Sequence, residues 1–218
     1  MSLIYPLPAR NTVDLAIPTF TLDVNQVAIR APFTYDSDQR GLVGLEWNYF
    51  EEEKVELCVT PATELEITQG VEIANLGSAA RQRLLKSELY KSRPEEVLLD
   101  LSPSDSDDLW LDMRGILFPT VADSQLTQRQ IADVHQVFLH TLSSGSTASN
   151  SVFVSRDNNF HTHADVFENR YGVLIMTPNQ AWSTYQPQHQ LAVPSRSQAN
   201  DLWRKQQEFF ARIEDASS

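Results

Sequence analysis

Two aspartates stand just after apolar runs of the kind that form buried β-strands. Asp23 directly follows residues 20–22, and Asp157 comes three positions after residues 152–154. A carboxylate at the end of a strand lies at the C-terminal edge of the sheet, where open α/β sheets bind ligands. Two such strands can therefore direct their acids to one point, although they are far apart in the chain.

Two further acids are candidates for the same point. Glu64 lies in a predicted helix after the second strand, and Asp133 lies in the first turns of a later helix. Glu66 competes with Glu64 for the position on the earlier helix. Clustered carboxylates raise one another's pKa, so such a cluster is stable mainly when a hard cation neutralises it. The alternative is a set of ordinary turn and helix-start acids, since Asp is common at turns.

The chemistry that suits such a cluster is metal-assisted hydrolysis. Mg²⁺ and Mn²⁺ take oxygen ligands and leave coordination positions for water and phosphate. An ion of this kind lowers the pKa of an attacking water and stabilises a leaving oxygen. The four acids therefore favour a site for phosphodiester hydrolysis.

The apolar pattern predicts alternating strands and helices that would position these acids. The predicted strands are residues 17–22, 55–60, 152–155 and 171–176, and the predicted helices are residues 39–53, 78–90, 200–215 and the segments beginning at Pro61 and Thr127. Residues 102–108 are predicted to be a polar loop. Alternating strands and helices imply an α/β fold, a three-layer sandwich with a central parallel sheet of four to five strands.

The motifs around the acids resemble those of the PIN-domain nuclease family. Leu22-Asp23-Val24-Asn25 is similar to that family's opening motif, an apolar strand ending in Asp-x-Asn. The other segments that resemble family motifs are residues 59–65, 131–135, 153–160 and 171–178. The order and spacing of the segments carry the resemblance, which implies a PIN-like, Rossmann-like fold.

The resemblance also implies roles for particular side chains. The acids implied to bind Mg²⁺ or Mn²⁺ and to carry catalysis are Asp23, Glu64, Asp133 and Asp157. The neighbours implied to hold these carboxylates by hydrogen bonds are Asn25, Ser155 and Asn159. Asn159 stands where many members of the family have another acid, which would weaken a second metal site while sparing the first.

The resemblance divides the chain into three parts. Residues 1–14 form an N-terminal arm, and residues 15–183 form a PIN-like domain with an insertion at about residues 68–126. Residues 184–218 form a C-terminal extension that ends in an amphipathic helix. The helix carries Trp203, Phe209 and Phe210. We expect it to pack on its own domain, or to form a homodimer or protein-partner surface if its apolar side is exposed.

The function implied by the resemblance is that of a cytoplasmic, Mg²⁺- or Mn²⁺-dependent endoribonuclease, in a prokaryote the toxin of a toxin–antitoxin pair. The first alternative is a catalytically weak PIN-like interaction or regulatory module, which Asn159 and the net charge of −12 favour. A second alternative is an aspartate-based phosphatase, which would need another Asp two positions after Asp23, where Asn25 stands.

Composition limits the partners of the chain. The net charge of −12 argues against nonspecific nucleic-acid binding by the whole surface, although bases cluster locally. The candidates for contact with an RNA backbone are Arg81, Lys86, Lys91, Arg93 and Arg156. A solvated helix face is the alternative interpretation of this basic segment. No apolar stretch predicts a membrane span, and the single cysteine, Cys58, excludes an internal disulfide and is typical of a reducing cytosol.

Overall fold

A computed structural model describes residues 17–27, 37–68, 71–72, 75–92, 103–144 and 151–216. The strands and helices within these ranges are β1 (Thr19–Leu22), α1 (Ser37–Phe50), β2 (Glu56–Val59), α2 (Pro61–Thr68), α3 (Ser78–Ser87), β3 (Lys91–Ser92), α4 (Pro103–Leu117), α5 (Gln128–Ser144), β4 (Ser151–Val154), α6 (Asn158–Thr162), α7 (Ala164–Tyr171), β5 (Leu174–Met176), α8 (Pro178–His189) and α9 (Arg196–Ala216). Among these residues, no helix is both long and apolar enough to cross a membrane.

The described strands form one parallel sheet of five strands, in the order β3-β2-β1-β4-β5. The α/β fold class and the number of strands predicted from the sequence are confirmed. The strand order reverses at β1, because β2 and β3 extend the sheet on one side and β4 and β5 extend it on the other. In open α/β sheets, such a switch point leaves a crevice at the C-terminal ends of the two central strands.

Helices cover both faces of the sheet. Phe20 and Leu22 point to one face, where they join a buried cluster with residues of α1 and α8. Phe153 and Ile175 point to the opposite face and join a cluster with residues of α4, α5, α6 and α7. Successive side chains of a strand point to opposite faces, so a strand buried on both faces is apolar almost throughout. This accounts for the uninterrupted apolar runs in the sequence.

The segment at residues 102–108 was predicted to be a loop, and this prediction is wrong from Pro103 onward. Pro103 occupies the first position of α4, where a missing N–H is tolerated, and Asp105 lies in the first turn, where the helix dipole favours an acid. Leu109, Met113 and Leu117 then recur at helical spacing and are buried. The same polar residues that favour turns also begin helices, and the apolar residues that decide between the two lie downstream.

The last strand is shorter than the predicted residues 171–176. Tyr171 ends α7, and Gly172 terminates that helix in the left-handed conformation with φ of 69°. Such a helix end needs glycine because a side chain is strained there. The strand therefore begins at Leu174. The sequence interpretation also missed α6, α7 and α8. The predicted helix near Thr127 is α5, and Thr127 caps it: Gln130 N donates to Thr127 Oγ1 at 3.2 Å, and Thr127 N donates to Gln130 Oε1 at 2.9 Å.

The region predicted to be an insertion contributes to the sheet. Its strand β3 pairs with β2 and forms one edge. Its helix α3 places Leu84 in a small buried cluster with Val24, which directly follows Asp23. At the other end of the chain, α9 buries Leu202 and Phe210 and packs beside α1. The predicted packing of this terminal helix on its own domain agrees with this burial.

The contact between α1 and α8 requires glycine. A Cβ added at Gly41 would lie 2.4 Å from the carbonyl oxygen of Pro178, which is backbone and cannot move aside easily. We expect Gly41→Ala to lower the free energy of unfolding by about 1 to 3 kcal/mol through overpacking. The matched control is Gly115→Ala in α4, where a Cβ meets nothing within 4 Å. This change should raise stability by up to about 1 kcal/mol. Urea unfolding measures both, and equal effects would contradict the steric argument.

Candidate functional site

Asp23 is held at the point where β1 and β4 end side by side. Its backbone N–H donates to the carbonyl oxygen of Val154 at 2.9 Å, and its side chain is 1% exposed. Carboxylate oxygen Oδ2 accepts hydrogen bonds from Ser155 Oγ at 2.7 Å and from Asn25 Nδ2 at 3.2 Å. Ser155 Oγ in turn accepts a bond from the backbone N–H of Asp157 at 3.0 Å. The loops after the two strands are thereby joined through one carboxylate.

The second carboxylate oxygen of Asp23, Oδ1, is buried and has no hydrogen-bond partner among the described residues. Burial raises the pKa of Asp23, the bonds from Ser155 and Asn25 oppose this, and the negative charge of Asp157 adds to the rise. An ionised carboxylate oxygen buried without a partner is costly. The oxygen therefore marks a position where a proton or a cation would stabilise the folded chain.

One face of α5 is directed at this position. Arg129, Asp133, Gln136 and His140 follow one another at spacings of four, three and four residues, which place side chains on one side of a helix. His140 Nδ1 lies 2.9 Å from the hydroxyl of Thr21 on β1 and so holds the helix against the strand. Asp133 is 8% exposed. Burial, followed by the charges of Asp23 and Asp157, raises the pKa of Asp133 to about 7, against the opposing charge of Arg129.

Glu66, from α2, is the fourth acid of the group. Gln136 Nε2 donates to its carboxylate. Burial, together with the charges of Asp23 and Asp133, raises the pKa of Glu66 to about 8, while Arg129 and Arg83 act in the opposite direction. The carboxylate at this position thus carries a proton at neutral pH.

The sequence interpretation preferred Glu64 to Glu66 as the acid of α2 that joins the group. In the structure, Glu66 is the residue that joins it. Glu64 is exposed, because two residues in a helix differ by about 200° in direction. The buried face of α2 is set by Ala62, Thr63 and Ile67, and Glu66 lies beside that face. The apolar spacing of α2 was the signal that could have identified Glu66.

Asp157 completes the group from the loop after β4. Its Oδ1 accepts the backbone N–H of Asn159 at 2.8 Å and so caps α6, and its Oδ2 lies 3.9 Å from Arg129 Nη2. Asn159 therefore contacts this carboxylate through its backbone. His161 Nε2 lies 2.8 Å from the carbonyl oxygen of Ser155 and steadies the same loop.

The four carboxylates are coupled through their charges. They belong to Asp23, Glu66, Asp133 and Asp157. The exposed guanidinium of Arg129 opposes the rise in pKa at both Glu66 and Asp133, and Arg83 adds to this effect at Glu66. Across the described part of the chain, no three His, Cys, Asp or Glu side chains form a ready set of metal ligands. The site is thus a group of largely buried acids at the switch point of the sheet.

The predicted RNA-contacting bases lie in different surroundings. Lys86 is buried, 4% exposed, with its ammonium 2.8 Å from Glu46 Oε1, so it does not lie on the solvated helix face that was the alternative interpretation. Lys91 is paired with Glu56 on the sheet edge, and Arg81 is exposed on α3. Arg156 lies near Asp38, with Nε 3.8 Å from Oδ2, and Arg93 lies outside the described residues. Arg129 and Arg83, which the sequence interpretation did not select, are the bases that act on the acids.

Comparison of the chain with protein-family models, with curated proteins and with solved structures gave no significant match. The geometry and chemistry of this crevice are therefore the observations that bear on function. Its defining features are the unpartnered oxygen of Asp23 and the raised pKa values of Glu66 and Asp133.

The raised pKa values make stability depend on pH. Glu66 and Asp133 keep their protons in the folded chain up to about pH 8 and 7, whereas the unfolded chain loses them near pH 4.5 and 3.8. The stability from these protons is full below the unfolded values and is lost as pH rises through the folded values. Asp133→Asn and Glu66→Gln should therefore raise Tm more at pH 9 than at pH 5, by about 3 to 6 °C.

The control for this pH series is Glu64→Gln, which neutralises an exposed acid of the same helix. We expect the Tm difference between this variant and the parent to stay within about 1 °C at both pH values, since surface substitutions are usually small in effect. Scanning calorimetry without metal measures all of these proteins. A pH-independent Tm difference for both Asp133→Asn and Glu66→Gln would contradict the assigned proton binding.

Proposed function

We propose that the chain is a Mg²⁺- or Mn²⁺-dependent endoribonuclease whose active site lies in the crevice between the ends of β1 and β4. The observation that carries the proposal is the buried, unpartnered Oδ1 of Asp23 beside Glu66 and Asp133, which retain protons. A cation bound there would replace those protons and would give the buried oxygen a partner. The preference for RNA rests on the resemblance of the motifs to those of PIN-domain nucleases.

The residues fit a hard cation in their chemistry. The acids that would hold the ion are Asp23, Asp133 and Asp157, and all present oxygen, the ligand atom that Mg²⁺ and Mn²⁺ prefer. When bound, the ion would supply Lewis acidity toward a phosphodiester oxygen and an attacking water.

The hydrogen bonds around the acids prepare them for this role. Ser155 and Asn25 occupy one oxygen of Asp23 and leave the other for the ion. The backbone N–H of Asn159 occupies one oxygen of Asp157 in the same way. Groups that orient metal-binding carboxylates typically change metal affinity by about 10- to 100-fold when they are removed.

Glu66 is suited to move a proton. Its pKa of about 8 is near neutrality, which is the range in which a general base or acid works best. Gln136, itself fully buried, holds the carboxylate from the side of α5. A cation bound at Asp23, Asp133 and Asp157 would displace the proton that Glu66 holds at neutral pH, and the ionised carboxylate would then accept the proton of the attacking water.

Arg129 is suited to contact the phosphate. Its side chain is 62% exposed, and its guanidinium lies 3.9 Å from the carboxylate of Asp157. A guanidinium pairs with two phosphate oxygens at once, which gives a planar and directional contact. We assign it the non-bridging oxygens of the scissile group, and Arg83 lies near enough to Glu66 to add to the positive potential there.

The second candidate function is that of a PIN-like interaction or regulatory module without catalysis. Two observations favour it: the described residues include no ready set of three metal ligands, and Arg129 lies 3.9 Å from Asp157. In this case the guanidinium would neutralise the acids permanently, and no divalent cation would be needed. Binding of Mn²⁺ by the purified chain distinguishes the two functions.

The proposed activity is tested with labelled single-stranded RNA and Mn²⁺. We expect cleavage that EDTA abolishes and that Asp23→Asn or Asp157→Asn reduces by about 100-fold or more, because the ion loses a ligand. The matched pair Glu66→Gln and Glu64→Gln separates the two glutamates. The first should lower kcat by about 100-fold and the second by less than about twofold, because only Glu66 lies among the acids.

Mn²⁺ binding measured by calorimetry is the control that does not depend on the choice of RNA. The parent should bind Mn²⁺, and Asp23→Asn should bind it at least about tenfold more weakly. Cleavage that survives both EDTA and Asp157→Asn would mean that the activity belongs to a contaminant or another site. Absence of both Mn²⁺ binding and cleavage would support the interaction module instead.

A further inference from the structure

A small cleft opens beside the carboxylates, on the side of the sheet that α1 covers. Its polar lining comes from Asn25, Gln26, Gln39, Glu46, Lys86 and Arg156. Asn25 also donates to Asp23, and Arg156 immediately precedes Asp157. The cleft therefore begins next to two of the acids, and the proposed hydrolysis makes no use of it.

One hydrogen-bond donor that lines the cleft, on Gln26, has no acceptor among the described residues. Its side chain is 2% exposed and lines the cleft, and its Nε2 donor has no partner in the described ranges. A buried donor left without a partner costs about 1 to 3 kcal/mol. A ligand that presents an acceptor oxygen to the cleft would remove this cost.

Lys86 places a positive charge in the same cleft. Its ammonium is 2.8 Å from Glu46 Oε1, and the same oxygen accepts the hydroxyl of Tyr90 at 2.6 Å. This arrangement holds the ammonium in a buried position although it lies on a helix rich in bases. An ammonium has three N–H groups, and one carboxylate oxygen engages only one of them well. Lys86 can therefore donate to a ligand without leaving Glu46.

The charges that line or border the cleft nearly balance. Lys86 and Arg156 are positive, whereas Glu46 pairs with Lys86 and Asp38 lies 3.8 Å from Arg156. A cleft rich in donors but close to neutral suits an anion of low charge. A phosphodiester within a nucleic-acid strand carries one negative charge, whereas a phosphomonoester carries about 1.5 to 2 at pH 7.

We propose that this cleft binds an internal phosphodiester of the substrate strand, next to the phosphodiester at the carboxylates. Gln26, Lys86 and Arg156 donate to its non-bridging oxygens. The identity of the ligand as part of an RNA rests on the proposed function, whereas the affinity of the cleft for a phosphodiester rests on its own donors. The cleft thus sets a minimum substrate length, since a strand must extend past the cut to reach it.

The test measures binding without metal, so that cleavage plays no part. The probes are labelled UpUpU, which has two internal phosphodiesters, and UpU, which has one, both in EDTA and at low salt. Gln26→Met keeps the length of the side chain and removes its donors. We expect it to weaken the binding of both probes by about fivefold or more, since without metal the cleft is the site that a phosphodiester of either probe occupies.

The matched control is Gln206→Met in α9. Gln206 is also buried, and its Nε2 likewise has no partner in the part of the chain that the structure describes. It lies outside the cleft, so the change should leave UpUpU binding within about twofold of the parent. Because Lys86→Met would leave Glu46 buried without its partner, the second test variant is the double change Lys86→Met with Glu46→Gln. It should weaken the binding of both probes.

Three outcomes would overturn the assignment. Equal binding of UpUpU by the parent and by Gln26→Met, or no binding of UpUpU by the parent, removes the cleft as a phosphodiester site. Displacement of UpUpU by inorganic phosphate at an equal concentration would identify a free-phosphate site instead. UpUpU binding that requires Gln26, in a chain that never cleaves RNA with Mn²⁺, would support the cleft while the proposed hydrolysis fails.

Discussion

The connection between the ends of β1 and β4 positions the rest of the site. Two hydrogen bonds make it, from the backbone of Asp23 to Val154 at 2.9 Å and from Ser155 Oγ to the Asp23 carboxylate at 2.7 Å. They join residues that are 131 and 132 positions apart in the chain. Because the strand order reverses at β1, the helices after these two strands lie on opposite faces of the sheet. The crevice between the loops is a consequence of this topology.

The site places several acids close together in buried positions, which lowers the stability of the fold. Asp23, Asp133 and Glu66 all have raised pKa values, chiefly because burial disfavours their charged forms. The two apolar clusters on either side of the sheet supply the stability that tolerates this arrangement. Strain of this kind persists at functional sites because the surrounding structure is stable enough to maintain it.

The two sides of the crevice differ in charge. Asp133 and Glu66 approach from α5 and α2, whereas Lys86 and Arg156 line the cleft on the side of α1. A chain with a net charge of −12 can therefore still offer donors to a phosphate backbone over a short distance. Fields from separate patches act locally, since salt screens charges beyond about 10 Å.

Sequence alone determined the α/β class and the acids at the strand ends, Asp23 and Asp157, because both follow from patterns within a few residues. Tertiary structure decided which side chains join them. Glu66 replaced Glu64 because the direction of a side chain depends on which face of α2 is buried, and Lys86 was withdrawn from solvent by Glu46, 40 positions earlier. Arg129 is a charge partner only because α5 packs against β1. These are contacts between distant segments, which spacing in one sequence does not specify.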